Sequence, residues 1–287
     1  MSRIAYVNGH YVPHRDAAVH IEDRGYQFAD GVYEVVAVHN RRLVDAEGHM
    51  TRLNRSLGEL RIDWPMSSRA LSVVMKEVIQ RNRVRDGLVY IQITRGVAPR
   101  DHAFPKNAKS VLVLTSRRTP PFDIERARKG VDVITLHDIR WKRRDIKSIS
   151  LLPNVLGKQE AREKGAYEAW LVDDDGTVTE GTSSNAWIVS SEGELITRQA
   201  DEDILSGITR LAIMRLAQEE GIILVQRPFT VAEAKSASEA FVTSSTSFIK
   251  PVIRIDGERI GTGDTGPVAD KLLTYYGDYL DSQEPMK

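Results

Sequence analysis

Two adjacent prolines, Pro120 and Pro121, most constrain how this chain can fold. A proline has no N–H and a fixed φ, so neither a helix interior nor a central strand can run through such a pair. Between Thr119 and Phe122 they read as a linker. We place a domain boundary there, giving domains 1–120 and 121–287. The 287 residues are enough for two ordinary domains, each with its own core.

The stretch before the prolines mixes the two hydrophobic periods. Ile4 to Val7 and Tyr11 to Val12 flank Asn8-Gly9, which reads as a hairpin turn. Gly31 to His39, Leu88 to Thr94 and Ser110 to Thr115 read as strands. His49 to Leu60 places Met50, Leu53, Leu57 and Leu60 at helical spacing, and Leu71 to Gln80 does the same with Val74, Val78 and Ile79. After the prolines, Val131 to Leu136, Glu168 to Val172, Ala186 to Val189 and Ala240 to Thr243 read as strands, and Ile253 to Ile260 as a hairpin on Asp256-Gly257. Helices are expected through Gln159 to Lys164, from Gly207 to Glu220 and from Pro267 onward. Strands with helices on one side make an α+β arrangement.

Charge and composition remove several classes of function. Lys+Arg and Asp+Glu are both 40, so no broad field invites nucleic acid or an anionic membrane. The absence of cysteine excludes disulfides, thiolate metal sites and a cysteine nucleophile. His10 and His14 have helical spacing, but Pro13 lies between them in a hairpin, and no histidine cluster has a ligand pattern, so no metal is expected. The N-terminus lacks the apolar core of a signal peptide and no stretch reaches membrane-spanning length, which leads us to expect a cytoplasmic protein.

Five places carry candidate chemistry. Lys147 interrupts the strand-like run Asp145-Ile146-Lys147-Ser148-Ile149-Ser150-Leu151-Leu152, where a cation is costly to bury, although an edge-strand lysine facing water fits the same run. Glu180, expected on a turn, could supply an acid to a ring nitrogen; an amine with such an acid suits pyridoxal phosphate (PLP). Gly207-Ile208-Thr209 opens a helix, with Ser206 as the expected cap, and could cradle a phosphate or simply be capped. Thr243-Ser244-Ser245-Thr246-Ser247 adds hydroxyl donors or a solvated turn. Arg100 and His102, on the proline-bounded loop 95–105, suit a carboxylate or an ordinary basic loop. By pattern alone, Arg52 belongs on a solvated helix face and Tyr33 in a core.

Longer motifs occur in order along nearly the whole chain. Glu22-Asp23-Arg24-Gly25-Tyr26-Gln27-Phe28-Ala29-Asp30-Gly31-Val32-Tyr33-Glu34-Val35-Val36 comes first. His49-Met50-Thr51-Arg52-Leu53, Thr94-Arg95-Gly96, Pro99-Arg100-Asp101-His102, Asp138-Ile139-Arg140-Trp141 and Asp145-Ile146-Lys147-Ser148 follow. Lys158-Gln159-Glu160-Ala161, Thr179-Glu180-Gly181, Gly207-Ile208-Thr209-Arg210 and Phe241-Val242-Thr243-Ser244 complete the set. A chain with this set resembles the D-amino acid aminotransferases. Those are fold-type IV PLP enzymes, as are the branched-chain aminotransferases and the aminodeoxychorismate lyases.

The resemblance implies an α/β (α+β) architecture: a small α+β N-terminal domain and a larger pseudo-barrel C-terminal domain, with PLP between them. It implies that Lys147 binds the cofactor covalently and then acts as general base, and that Glu180 pairs with the pyridine nitrogen. Arg52, Ile208, Thr209, Ser244 and Ser245 match the phosphate cup. Tyr33, Arg100 and His102 match a trap for the substrate carboxylate, with Arg140 as a supporting arginine. Val35, Trp141 and Leu205 are positioned as contacts to the substrate side chain. Ser245 stands where threonine is common and Thr182 where serine is common; both keep a hydroxyl. The implied reaction transfers an amino group between a D-amino acid such as D-alanine and a 2-oxo acid such as 2-oxoglutarate, giving pyruvate and D-glutamate. A branched-chain L-amino acid transaminase, an R-amine transaminase or an aminodeoxychorismate lyase is the alternative, disfavoured by the Pro99–His102 loop. The implied partners are small D-amino acids and 2-oxo acids, in a homodimer.

Overall fold

A computed structural model describes residues 3–283, which divide into two compact units. One comprises the chain up to Pro121, the segment Ile146–Ser150 and the residues from Asp281; the other comprises Phe122–Asp145 and Leu151–Leu280. This differs from the division expected at 120/121, because the Lys147 segment groups with the first unit. The backbone bonds explain that: Tyr33 N donates to Lys147 O at 3.0 Å and Ile149 N to Gly31 O at 3.1 Å. Ile146 is buried in the same core as Val32 and Val36.

The first unit is built on a six-stranded antiparallel sheet. In spatial order its strands are His10–Pro13, Ile4–Val7, Val111–Arg118, Gly87–Thr94, Gly31–His39 and Arg42–Leu43. Alternation along Gly31–His39 sends Val32, Val36 and Val38 to one face, where the helices Ala46–Leu60 and Ser68–Arg81 close the core with Leu53, Leu57, Leu71 and Val78. Each such buried aliphatic side chain contributes about 2 kcal/mol. The opposite face carries Tyr33 and Val35, which the ladder sets directly across from Gln92 and Tyr90. Helix Ala46–Leu60 begins a turn earlier than its apolar spacing suggests. Ser67 caps the second helix by accepting from Ala70 N.

The second unit is a nine-stranded mixed sheet. Its main path runs Leu224–Gln226, Leu195–Thr197, Asn185–Val189, Glu239–Ser244, Phe248–Ile255, Val131–His137, Glu168–Val172 and Val178–Gly181. Val178–Gly181 ends the path yet packs beside Asn185–Val189, so the sheet rolls into a half-barrel. Helices Leu152–Glu163, Ile208–Glu219 and Pro267–Asp281 belong to this unit.

Local expectations fail in three instructive places. The Lys147 run is not a strand: only Ser148 bridges, to Val32, and Ser148 N turns back to Ile146 O at 2.8 Å. Glu180 lies in the strand Val178–Gly181 rather than on a turn. The strand Phe248–Ile255 extends through Pro251, which is tolerated because the pairing with Val131–His137 starts only at Val252.

Candidate active site

In the first unit the candidate chemistry collects around Lys147. Its Nζ stands 4.3 Å from the centroid of the Tyr33 ring, and its backbone N donates to Ser56 Oγ at 3.3 Å. Tyr33 is in turn stacked on Tyr90, with ring centroids 5.7 Å apart. The Tyr90 hydroxyl donates to Gln92 Oε1 at 2.7 Å, and burial pushes it up to about 12. Tyr33 is therefore a residue of the sheet's half-buried face, not of the core.

On the other face of the same strand sits Glu34, fully buried. Arg52 Nε and Nη2 donate to its two oxygens, both at 2.8 Å, as a fork, and His49 Nδ1 lies 2.7 Å from Oε2. Burial opposes ionisation of Glu34, but Arg52 and His49 outweigh it and hold the carboxyl at about 2. An ionised Glu34 only accepts, so His49 Nδ1 carries the hydrogen of this bond. Burial pulls His49 below the usual histidine range, aided by the charges of Arg52 and Lys147, so the ring is neutral at pH 7. Arg52 is thus buried, contrary to the solvated helix face its pattern suggests.

Arg100 and His102 project from the surface loop of the first unit. The Arg100 guanidinium lies 4.6 Å from the centroid of the Phe28 ring, and the His102 ring lies 5.3 Å from it. Phe28 ends the short helix Arg24–Phe28, which Asp23 caps through Gly25 N and Ala29 closes at φ 55°. Among the described residues no carboxylate pairs with Arg100.

In the second unit the centre is Glu180. Arg140 Nη1 donates to its Oε1 at 2.6 Å; Asn185 Nδ2 and Leu205 N donate to Oε2 at 3.0 and 3.2 Å. Arg140 also forks onto Asp138, whose second oxygen accepts from Thr179 Oγ1. Burial pushes the Glu180 carboxyl above the ordinary value, and Arg140 offsets that only in part. The same burial works against the Arg140 charge, but the two carboxylates win and hold its proton more firmly than usual.

Beside Asn185 begins the helix Ile208–Glu219. Its cap is Gly207, not Ser206, and no side chain closes its first turn. A Cβ on Gly207 would stand 1.9 Å from Asn185 Oδ1, so this corner admits backbone only. Ile208 and Thr209 are buried there, and the helix packs against Glu239–Ser244, which leads into the hydroxyl turn. In that turn the Ser244 hydroxyl is 3.1 Å from Thr246 Oγ1 and 2.7 Å from Ser247 Oγ, and Ser245 is half-buried. Trp141 is exposed. Among the described residues, no group of three or more His, Asp or Glu could hold a metal ion.

The structure thus gathers Lys147, Tyr33 and Val35 with Arg52 in one unit, and Glu180, Arg140, Leu205, Ile208 and Thr209 in the other. Pattern reading passed over Glu34, His49, Asn185 and Asp138. One signal was available: Glu34 shares the strand parity of Val32 and Val36, and His49, Arg52 and Leu53 share one helix face, so an acid and two bases were aimed at the same core.

Comparison with known proteins gives consistent matches. The Amino-transferase class IV family matches residues 31–255. A D-alanine aminotransferase from Bacillus licheniformis is 42% identical over 272 residues, covering 93% of each chain. Another from Staphylococcus haemolyticus is 36% identical and covers 97% of this chain and 98% of its own. Among solved structures, the T.th. branched-chain amino acid aminotransferase with pyridoxamine 5'-phosphate superposes with a TM-score of 0.90 at 25% identity, covering 99% of this chain and 96% of that one.

Proposed function

The chain belongs to the class IV aminotransferase family, and from that premise we propose that it transfers the amino group between a D-amino acid and a 2-oxo acid with PLP as cofactor. D-Alanine and 2-oxoglutarate are the representative pair, giving pyruvate and D-glutamate. The carrying observation is the full-length likeness to D-alanine aminotransferases.

The donor set fits PLP. A helix start open to a ligand, a corner that excludes any Cβ, the Thr209, Ser244 and Ser245 hydroxyls and the Arg52 guanidinium suit a phosphate. Bound PLP supplies a pyridine ring that accepts the electron pair left when Cα loses its proton. Lys147 is proposed to hold the cofactor through Nζ and then, as a free amine, to move the proton from Cα. The face of the Tyr33 ring keeps that nitrogen in place. Glu180 keeps a proton on the pyridine nitrogen, and Arg140, Asn185 and Leu205 N hold its carboxylate in one orientation. Glu34 fixes Arg52 through Nε and Nη2, and the rest of that guanidinium is proposed to meet the phosphate. Arg100, His102 and the Tyr33 hydroxyl are proposed to fix the substrate carboxylate, which decides the face of Cα that shows its hydrogen to Lys147, while Val35 meets the side chain.

The proposed assembly is a homodimer in the cytoplasm. Val19, Ile21, Tyr26, Val97 and Phe104 are exposed on the segments around Arg100 and His102, an apolar surface that a second copy would cover. No described helix is long and apolar enough to cross a membrane.

The test is the absorbance of purified protein on adding D-alanine, L-alanine or L-leucine. A cofactor band lost with D-alanine alone and restored by 2-oxoglutarate is the expected result. A band that answers only to L-leucine would overturn the handedness and return the protein to the branched-chain alternative.

A further inference from the structure

We infer that Arg24 is the positioning residue for the carboxylate trap: it fixes the backbone from which Arg100 and His102 project. The inference rests on the proposed role of those two residues and names what holds them in place.

Arg24 is 3% exposed, yet its guanidinium spans two structures. On one side Nε donates to Asp30 Oδ2 at 2.8 Å. On the other, Nη1 donates to Asp101 O at 2.6 Å and Nη2 reaches His102 O at 3.4 Å. Asp101 lies between the two trap residues, so these bonds set the height and tilt of the peptides that carry both side chains. Asp30 is anchored independently, because Arg95 Nε and Nη2 also donate to it, at 2.7 and 2.9 Å. Burial opposes ionisation of Asp30, but the two arginines hold its carboxyl below the usual range. Arg95 is fixed in turn by the carbonyls of Leu60 and Arg61, at 2.8 Å each, so the chain of bonds ends on the C-terminus of helix Ala46–Leu60.

A second line of support comes from Phe28. Its ring lies 4.8 Å from the Arg24 guanidinium, 4.6 Å from that of Arg100 and 5.3 Å from the His102 ring. Arg24 and Phe28 open and close the same five-residue helix. That helix therefore offers a guanidinium to the loop backbone and an aromatic face to the loop side chains. At the loop's far end Arg95 lies 3.6 Å from the Phe104 ring centroid. An exposed loop would otherwise lose the conformational freedom of Arg100 and His102 on binding substrate; this clamp removes much of that freedom beforehand.

Steady-state kinetics of the holoenzyme test the inference, with D-alanine and L-alanine as donors and 2-oxoglutarate as acceptor, in Arg24→Ala, Arg100→Ala, the double variant and Phe28→Leu. Arg24→Ala is expected to raise KM for D-alanine about tenfold with kcat largely kept, and to lower the preference for D- over L-alanine. The double variant is expected to lose less than the two single losses combined, because part of the Arg24 effect runs through the Arg100 side chain already removed. Wild-type KM in Arg24→Ala beside a raised KM in Arg100→Ala overturns the inference and leaves the trap standing. Wild-type KM in Arg100→Ala sinks the trap itself, and the inference with it. If Arg24→Ala does not fold, Phe28→Leu decides, since it removes no member of the buried ion pairs: raised KM supports the clamp, unchanged KM refutes it.

Discussion

Arg140 and Glu180 form a buried pair in which Nη1 donates to Oε1 at 2.6 Å, while Asn185 and the Leu205 N–H take the other carboxylate oxygen. One donor to Oε1 and two to Oε2 take three of the carboxylate's roughly four lone-pair directions. Glu180→Gln keeps the shape but removes the charge proposed to hold a proton on a pyridine nitrogen. We expect kcat to fall about a hundredfold or more, with PLP still bound by absorbance. A variant with wild-type kcat would remove Glu180 from the mechanism.

Gly207→Ala tests the corner beside that pair. Gly207 has φ −68° and ψ 134°, open to any residue, so the objection to a side chain is space alone. The new Cβ would meet Asn185 Oδ1 at 1.9 Å and push it off Glu180 or displace the helix start. PLP affinity is expected to drop about tenfold or more. Gly58→Ala is the control: it lies in helix Ala46–Leu60 with nothing within 4 Å, and should add about 0.5–1 kcal/mol of stability. Equal PLP affinity in both variants would refute the steric account.

Acid stability follows from Glu34 and His49. Glu34 moves from 4.5 to about 2 on folding, so its contribution is complete above its unfolded value and is lost as pH falls toward the folded one. That shift corresponds to about 3 kcal/mol. His49 is also depressed in the fold, so its contribution is complete above the ordinary histidine value near 6.5 and declines as pH falls below it. Tm should therefore fall in two stages, below about 6.5 and again below about 4.5. The second stage should shrink in Glu34→Gln, at the cost of a lower Tm at pH 7, with the depressed Asp30 carboxyl accounting for part of what remains. An unaltered acid profile in that variant would show that other carboxylates govern acid unfolding.

The sequence made the periodic parts of both units legible, since Val32, Val36, Leu53 and Leu57 repeat at strand or helix spacing. It did not show that residues 146–150 pack with the first unit, because three backbone and hydroxyl bonds to Gly31, Tyr33 and Ser56 leave no mark on composition. Glu180 was visible as a motif residue, but its strand was not, because four residues carry too little alternation to read. Burial of Arg52 and Arg24 was hidden for a different reason. Charged residues are exposed by default, and only the partner carboxylates Glu34 and Asp30, which the fold brings against them, reverse that.

Tyr33 offers two functions that substitution can separate. Its ring face lies 4.3 Å from Lys147 Nζ and is braced from behind by Tyr90, whereas its hydroxyl is the part proposed to meet substrate carboxylate. Tyr33→Phe keeps the ring and deletes the hydroxyl, so KM for D-alanine should rise several-fold while kcat changes less. Tyr33→Leu deletes the ring as well. A cation held over an aromatic face is worth about 1 kcal/mol, so the amine of Lys147 should be less well placed and kcat should drop about fivefold further. Lys147→Ala, which removes the amine altogether, should abolish turnover in either background. If Tyr33→Phe and Tyr33→Leu prove kinetically identical, the ring plays no part in placing Lys147, and the hydroxyl alone accounts for Tyr33.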